Sequence, residues 1–320
     1  MGRYLVRRLV SMVPVVIIVS FLVFALINLL PGDPALMILG ENNNDPAAYQ
    51  RLRADLGLDR PLVIQYLDWA GHALRGDFGI SLRDRQPIGE AIAARVPPTL
   101  ELATLGLLLS LCISIPVGVI TALRPGSPVD AVATVGALSG VAVPQFFLGI
   151  LLIELFAVNW HLVPPSGYIP PWEDLGANLR LMILPALALS TGLTAVQMRH
   201  VRSSLLEVLH QEYVLTARSK GLHSSVVVRR HALRNALIPL VTIVGLEMGT
   251  LIGGTVILEI IFSIPGMGRL LVDSITFRDY PTVQAMVLLL ALTVLVANLL
   301  ADLTYGMLDP RVSRTGRAGR

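Results

Sequence analysis

The chain has 320 residues, a net charge of +3, and 54% apolar against 15% charged residues, with mean hydropathy +0.69. Soluble domains carry about 25% charged residues, so this composition excludes an ordinary soluble domain and points to several bilayer spans joined by modest loops. The basic balance fits loops that orient a membrane protein rather than a nucleic-acid surface, and a single cysteine, Cys112 in an apolar run, excludes a disulfide framework or a Cys-based metal cluster within the chain.

Residues 9–30 form an uncharged run preceded by Arg3, Arg7 and Arg8. At 1.5 Å per residue it is about 33 Å long as a helix, and it is read as an uncleaved membrane anchor. Residues 31–98 are too long and too patterned for a plain connector. They hold a 49–58 segment and a helix over 62–74 with Leu62, Tyr66, Trp69, Ala70 and Ala73 on one side, between Gly and Pro punctuation. A small helical extracytoplasmic cap is expected. Further spans are predicted at 102–123, 131–159, 181–198, 236–258 and 282–301.

The fold class is thus an all-α integral membrane protein with six transmembrane helices. Its organisation is an N-terminal helix over 1–30, the cap over 31–98, and a core of five helices over 99–310. A cytoplasmic loop occupies 203–235, and a basic cytoplasmic tail 311–320. With the N-terminus inside, 15 of the 25 basic residues fall on inside segments. The short outside loops hold only Arg180, Arg269 and Arg278, so both termini are predicted to be cytoplasmic.

No catalytic constellation is visible. A phosphate-cradling loop needs Gly-Lys-Ser/Thr, and the one lysine, Lys220, lies between Ser219 and Gly221. There is no Gly-x-Ser-x-Gly elbow and no His-Glu-x-x-His motif, and the six histidines lack ligand spacing. The chain is read as a non-enzyme with no metal site.

Acids near or within spans are Glu101, Glu154, Glu247, Glu259 and Asp302. Charge inside a bilayer is costly, so such groups mark function by default. Glu154 and Glu247 are expected to face the helix bundle or an aqueous cavity, with Gln145, after Pro144, as a third polar cavity residue. A proton-coupled carrier would use the same acids. Gly245, Gly249 and Gly253 share one helix face, which suits close helix packing, a subunit interface or a sliding gate.

The most informative stretch is 212–239, a basic segment between two predicted spans. Leu206, Leu209, Tyr213 and Ala217 share a helical face, and Glu207, Gln211 and Arg218 point elsewhere. Gly221 ends the helix in a left-handed conformation, and a second helix carries Val226, Arg229, Arg230 and His231 onward. The plain alternative is an interfacial helix held by acidic lipid headgroups. A bend of this kind on the cytoplasmic side suits gripping a partner.

At these residues a family resemblance emerges. The stretch resembles the cytoplasmic coupling loop of ABC importer permeases, with Ala217, Gly221 and Leu233 keeping the general pattern. Thr216-Ala-Arg-Ser-Lys-Gly221 and His231-Ala-Leu-Arg-Asn-Ala236 resemble the form found in the dipeptide, oligopeptide and nickel branch. Pro31-Gly-Asp-Pro34, Leu56-Gly-Leu-Asp59, Gly76-Asp-Phe-Gly79 with Ser81, Pro97-Pro-Thr-Leu-Glu-Leu102, Ile264-Pro-Gly-Met-Gly-Arg-Leu270 and Arg278-Asp-Tyr-Pro281 follow in the order of that branch. The long cap resembles the "B" permease of the pair.

The resemblance implies a type I importer fold and a pore-forming subunit in a bacterial or archaeal cell membrane. Its partners would be a second homologous permease, two cytoplasmic ATPase subunits that hold ATP and magnesium, and an extracytoplasmic solute-binding protein. Membrane lipid surrounds it, and no nucleic acid is involved. Glu212, Tyr213, Ala217, Arg218, Lys220, Gly221, Leu222 and Arg229 would couple to the ATPases, with Tyr213, Ala217 and Leu222 as the apolar part of the joint. The implied cargo is di- and oligopeptides, with glutathione, nickel chelates and opines as alternatives.

Overall fold

The computed structural model describes residues 2–29, 46–55 and 59–308. The 31–34 motif, the 56–58 stretch and the tail at 311–320 lie outside the described residues. Among the described residues all regular structure is helical, apart from an isolated antiparallel bridge between Ile80 and Pro87.

Helix α1 spans Gly2–Leu29, with an apolar stretch at Val10–Ala25. Helix α2 is Pro46–Asp55, opened by a proline whose missing N–H costs nothing at a helix start. Helix α3 is Leu62–Ala73, close to its expected bounds. It seats on α1 through Tyr66, whose ring lies 5.4 Å from Phe21 and whose hydroxyl pairs with Ser20 Oγ at 2.8 Å. Trp69 packs 5.8 Å from Phe24. Leu62, expected on that face, is exposed.

Helix α4 runs Ile88–Leu123 and starts well before the expected residue 102. It continues through Pro97 and Pro98, which lie before the span expected from 102. Helix α5, Pro128–Ala142, is capped by Ser127, which accepts the Asp130 N–H. The expected span over 131–159 is broken at Pro144. Val143 is extended, as a residue before proline prefers, and helix α6, Gln145–Asn159, leaves at 104° to α5. Its final part, Ile153–Asn159, is π-helical.

Helix α7, Leu175–Leu209, is capped by Asp174 and outruns the expected 181–198 at both ends. Helix α8 is Glu212–Ser219, and α9 is Ser224–Ala236 with a π-helical middle at Val227–Ala232. Helix α10 is Ile238–Ile261, α11 is Met267–Thr276 and α12 is Tyr280–Leu308. By length and composition α4, α7 and α12 can each cross a membrane, and up to five spans result if the α5–α6 and α9–α10 pairs each count as one.

The chain forms two compact units. One gathers Pro97–Arg269 with the part of α12 from Thr293; the other gathers described parts of Val6–Val96 with Leu270–Leu292. In the first unit α7 is the hub and packs against α5, α6 and α10. Its core joins Leu102, Met182, Leu189, Leu193, Leu251, Leu258 and Phe262. Lipid tails are as apolar as leucine, so such packing depends on close van der Waals fit. Gly106 and Gly118 of α4 supply it: a Cβ on Gly118 would lie 2.8 Å from Val201 Cβ, and one on Gly106 2.7 Å from Leu189. In the second unit Asp279, almost fully buried, accepts Ser81 Oγ at 2.6 Å, Leu82 N at 3.1 Å and Thr282 Oγ1 at 2.7 Å. This joins two of the sequence motifs, those at Ser81 and at 278–281.

Candidate functional site: a two-faced helical bend and an intramembrane polar relay

The bend begins where α7 stops. His210 ends the helix and Gln211 is extended, with ψ 144°. The helical period resets there, so Leu206, Leu209, Tyr213 and Ala217 do not form one face. Instead Val214 and Ala217 of α8 turn inward, while Tyr213 is exposed. Gly221 has φ +77° with open space around its α-carbon. Its glycine therefore serves the left-handed backbone, which costs other residues roughly 1–2 kcal/mol, and not a close approach. His223 then caps α9, accepting from Ser225 N.

The bend has two faces. The inner face is a cluster of small and branched side chains: Val214, Ala217, Val227, Val228, Ala232 and Ala236 pack on Leu205 and Leu209 of α7 and Ala122 of α4. The outer face exposes Glu212, Tyr213, Arg218, Lys220, Gly221, Leu222 and Arg229. Of the expected coupling residues, only Ala217 lies on the inner face, where it seats the bend on its own chain. Leu215, exposed at 49%, is an outer apolar residue that sequence reading missed, and Val226 at the start of α9 is exposed at 39%. The signal for Leu215 was its position on α8 across from Val214 and Ala217. Asn235 Nδ2 donates to Tyr213 Oη at 2.8 Å and ties the two arms together.

A clamp sits beside the bend. Arg202 of α7 donates twice to Asp130, from Nε at 2.7 Å and Nη2 at 2.8 Å, and Gly126 N adds a third bond. These three donors leave the Asp130 carboxylate paired with one guanidinium and one backbone N–H at the start of α5.

The expected cavity residues separate. The amide of Gln145 lies against Gly192 of α7 and Gly254 of α10. Glu247 Oε2 accepts Gln197 Nε2 at 2.8 Å, and Gln197 Oε1 accepts Ser114 Oγ at 3.1 Å. This relay crosses α10, α7 and α4. Glu154 is exposed on α6, where Asn159 Nδ2 donates to its backbone carbonyl at 2.8 Å. Within the glycine stripe a Cβ on Gly249 would approach Val294 at 3.3 Å, while Gly253 faces open space. Gly245 is partly buried.

Glu259, one of the acids near or within the predicted spans, is fully buried. Its Oε1 accepts Thr99 Oγ1 at 2.7 Å and its Oε2 accepts Arg269 N at 3.0 Å. Thr99 Oγ1 in turn accepts Met267 N at 2.8 Å. Glu101 accepts the Tyr168 hydroxyl at 2.8 Å, and burial with that bond raises the phenol above its usual value. No signal within a local window could pair residues this far apart in sequence.

Comparison with known proteins places these features. Residues 114–314 match the family described as binding-protein-dependent transport system inner membrane component, and residues 1–103 match the N-terminal region of such components. The chain is 40% identical over 335 aligned residues to the dipeptide transport system permease protein DppB of Escherichia coli K12, covering 98% of this chain and 99% of the relative. It is 39% identical over 312 residues to the glutathione transport system permease protein GsiC of Salmonella choleraesuis SC-B67, with the same coverage. A chain of the MetNI methionine ABC transporter superposes with TM-score 0.54 at 19% identity, covering 68% of this chain and 96% of that one. A chain of an amino acid ABC transporter gives TM-score 0.52 at 15% identity, covering 68% and 94%. The two structural likenesses establish the fold, and the sequence matches establish more: the chain belongs to the family of binding-protein-dependent transport system inner membrane components, the permease subunits of ABC importers.

Proposed function

We propose that this chain is one pore-forming half of an ATP-driven importer that carries di- and oligopeptides across the cytoplasmic membrane of a bacterium or archaeon. The permease is a transport component, and ATP hydrolysis belongs to separate subunits. In this reading it pairs with a second homologous permease. Two cytoplasmic ATPase subunits, which hold the ATP and magnesium, engage the outer face of the bend. A solute-binding protein docks on the 31–98 cap and the loop near 264–280. Support for peptide cargo comes from the relatives DppB and GsiC, named for dipeptide and glutathione transport. Glutathione is the second reading, favoured by the 39% identity to GsiC.

Six spans follow if α1 crosses through Val10–Ala25 in addition to α4, α5–α6, α7, α9–α10 and α12. The basic residues then put both termini and the bend inside. The domain organisation proposed is the anchor at 1–30, the cap at 31–98, the core at 99–310 and the tail at 311–320. Glu247, Gln145 and Glu154 are assigned to the translocation pathway, and Gly245, Gly249 and Gly253 to packing or gating.

The observation that carries the reading is the division of the bend into a buried inner face and an exposed, basic and apolar outer face. Closure of the ATPases would push on the outer face, and the packed inner face would pass the movement to α7 and α4. Gly221→Trp adds bulk at the apex, on a backbone that disfavours any side chain. Uptake per ATP hydrolysed by the assembled transporter is expected to collapse while the chain still inserts in the membrane. Wild-type uptake by the Trp variant would refute the proposal.

A further inference from the structure

Helix α10 carries two carboxylates, and their surroundings differ. Glu259 is sealed from solvent and engaged by Thr99 and the Arg269 N–H, the arrangement of a structural staple. Glu247 is only partly covered by its own chain. It lies within the expected fifth span, where a charge is costly and is kept for function.

Glu247 is also aimed. Gln197, with no exposed surface, donates to its Oε2 at 2.8 Å, and Ser114, equally buried, donates to Gln197 Oε1 at 3.1 Å. An ionised carboxylate only accepts, so Glu247 takes the –NH2 end of the Gln197 amide, and the amide oxygen is left to accept the Ser114 hydroxyl. The carboxylate is thereby held in one place by groups on α4 and α7. Such a staple does not itself need a charge, because a neutral amide oxygen at position 247 would accept the same bond from Gln197. A second polar side chain, Gln145 of α6, lies against Gly192 of α7 and Gly254 of α10. Polar groups thus stand on the three mutually packed helices α6, α7 and α10.

We propose that the Glu247 carboxylate binds the ammonium group of the peptide in transit. The inference rests on the peptide reading above. A peptide's α-amino group, with an ordinary pKa of about 7.7–8.0, is largely protonated at neutral pH. It is the one cation that every unblocked peptide carries, whatever its side chains. A carboxylate on the pathway would therefore recognise peptides as a class, through a charge-assisted hydrogen bond.

The test uses the assembled transporter in proteoliposomes, with its solute-binding protein outside. The readout is uptake of radiolabelled L-alanyl-L-alanine per ATP hydrolysed. Glu247→Gln keeps the shape and the acceptor for Gln197 but removes the charge, and this ratio is expected to fall about tenfold or more. Glu247→Asp keeps the charge and is expected to retain more of the ratio than the amide. An unchanged ratio in Glu247→Gln overturns the proposal and leaves a neutral staple. Equal losses in the Gln and Asp variants also overturn it, since side-chain length rather than charge would then matter. If the wild-type transporter hydrolyses ATP but takes up no dialanine, the peptide reading itself falls, a result separate from any behaviour of the variants.

Discussion

Glu259 gives the sharpest test of how the loop after α10 is held. Its carboxylate receives the Thr99 hydroxyl and the Arg269 N–H, with further donors in the Gly268 N–H and the Thr255 hydroxyl. Thr99 Oγ1 already accepts the Met267 N–H, so its proton is committed to Glu259. A glutamine at 259 has one acceptor oxygen and one –NH2 where the carboxylate has two acceptors. Either way round, at least one donor then faces another donor. One buried polar group left unpaired costs about 1–3 kcal/mol, so Glu259→Gln is expected to destabilise by about that amount. Glu259→Ala removes the acceptor from all four donors and opens a cavity, for about 4 kcal/mol or more. Gly266→Ala should mimic it, because a Cβ there would occupy the space of the carboxylate. The assay is the thermal midpoint of the detergent-solubilised complex, read by size-exclusion chromatography. The order expected is wild type, then Gln, then Ala. Equal midpoints for Ala and wild type would refute the staple, and equal midpoints for Gln and Ala would refute the donor accounting.

The Asp130–Arg202 clamp is tested by removing its charge. Asp130→Asn keeps one acceptor oxygen but gives up the two-bond pairing with the guanidinium, so the melting midpoint of the complex is expected to fall; an unchanged midpoint would count against the clamp. For Asp279, replacement by Ala strands the Ser81 and Thr282 hydroxyls and the Leu82 N–H, at about 3 kcal/mol or more. Limited proteolysis should then cut in the 79–87 segment, and an unchanged digestion pattern would argue against that anchor.

Sequence and structure agree where physics is local. The apolar runs mark the membrane class, and Gly221 marks the apex because a helix that stops at a left-handed residue favours glycine. Helix α3 was legible from its own periodicity. Proline was the ambiguous signal. Pro97 and Pro98 lie inside α4, whereas Pro144 separates α5 from α6 at 104°. The two cases differ in what precedes the proline: Val143 is extended with ψ 121°, while the residues before Pro97 remain helical. Nothing in the local sequence decides between them. The staples were illegible for a different reason. Thr99 and Glu259 are 160 residues apart, and Ser81 and Asp279 are 198 apart, so no helical or turn period connects them. At the bend, the reset at Gln211 moved Tyr213 outward and left Ala217 inward, because a face extrapolated through a break acquires the wrong phase.

The two halves of the site are connected by one helix. Helix α7 carries Leu205 and Leu209, on which the inner face of the bend rests, and also Gln197, which holds Glu247. Arg202 lies between them and is bonded to Asp130 of the α5 start. Close-packed interiors transmit displacement rather than absorb it, and the glycine contacts of α4 with Leu189 and Val201 leave little slack along α7. A push on the outer face would therefore reach the level of Gln197 through a stiff path of about three helical turns. A hydrogen bond weakens steeply once its geometry is lost, so a small shift of α7 against α10 would loosen the bond from Gln197 to Glu247. On this account ATPase closure would change the hold on the peptide's ammonium group at the same stroke that moves the spans, with no second signal required.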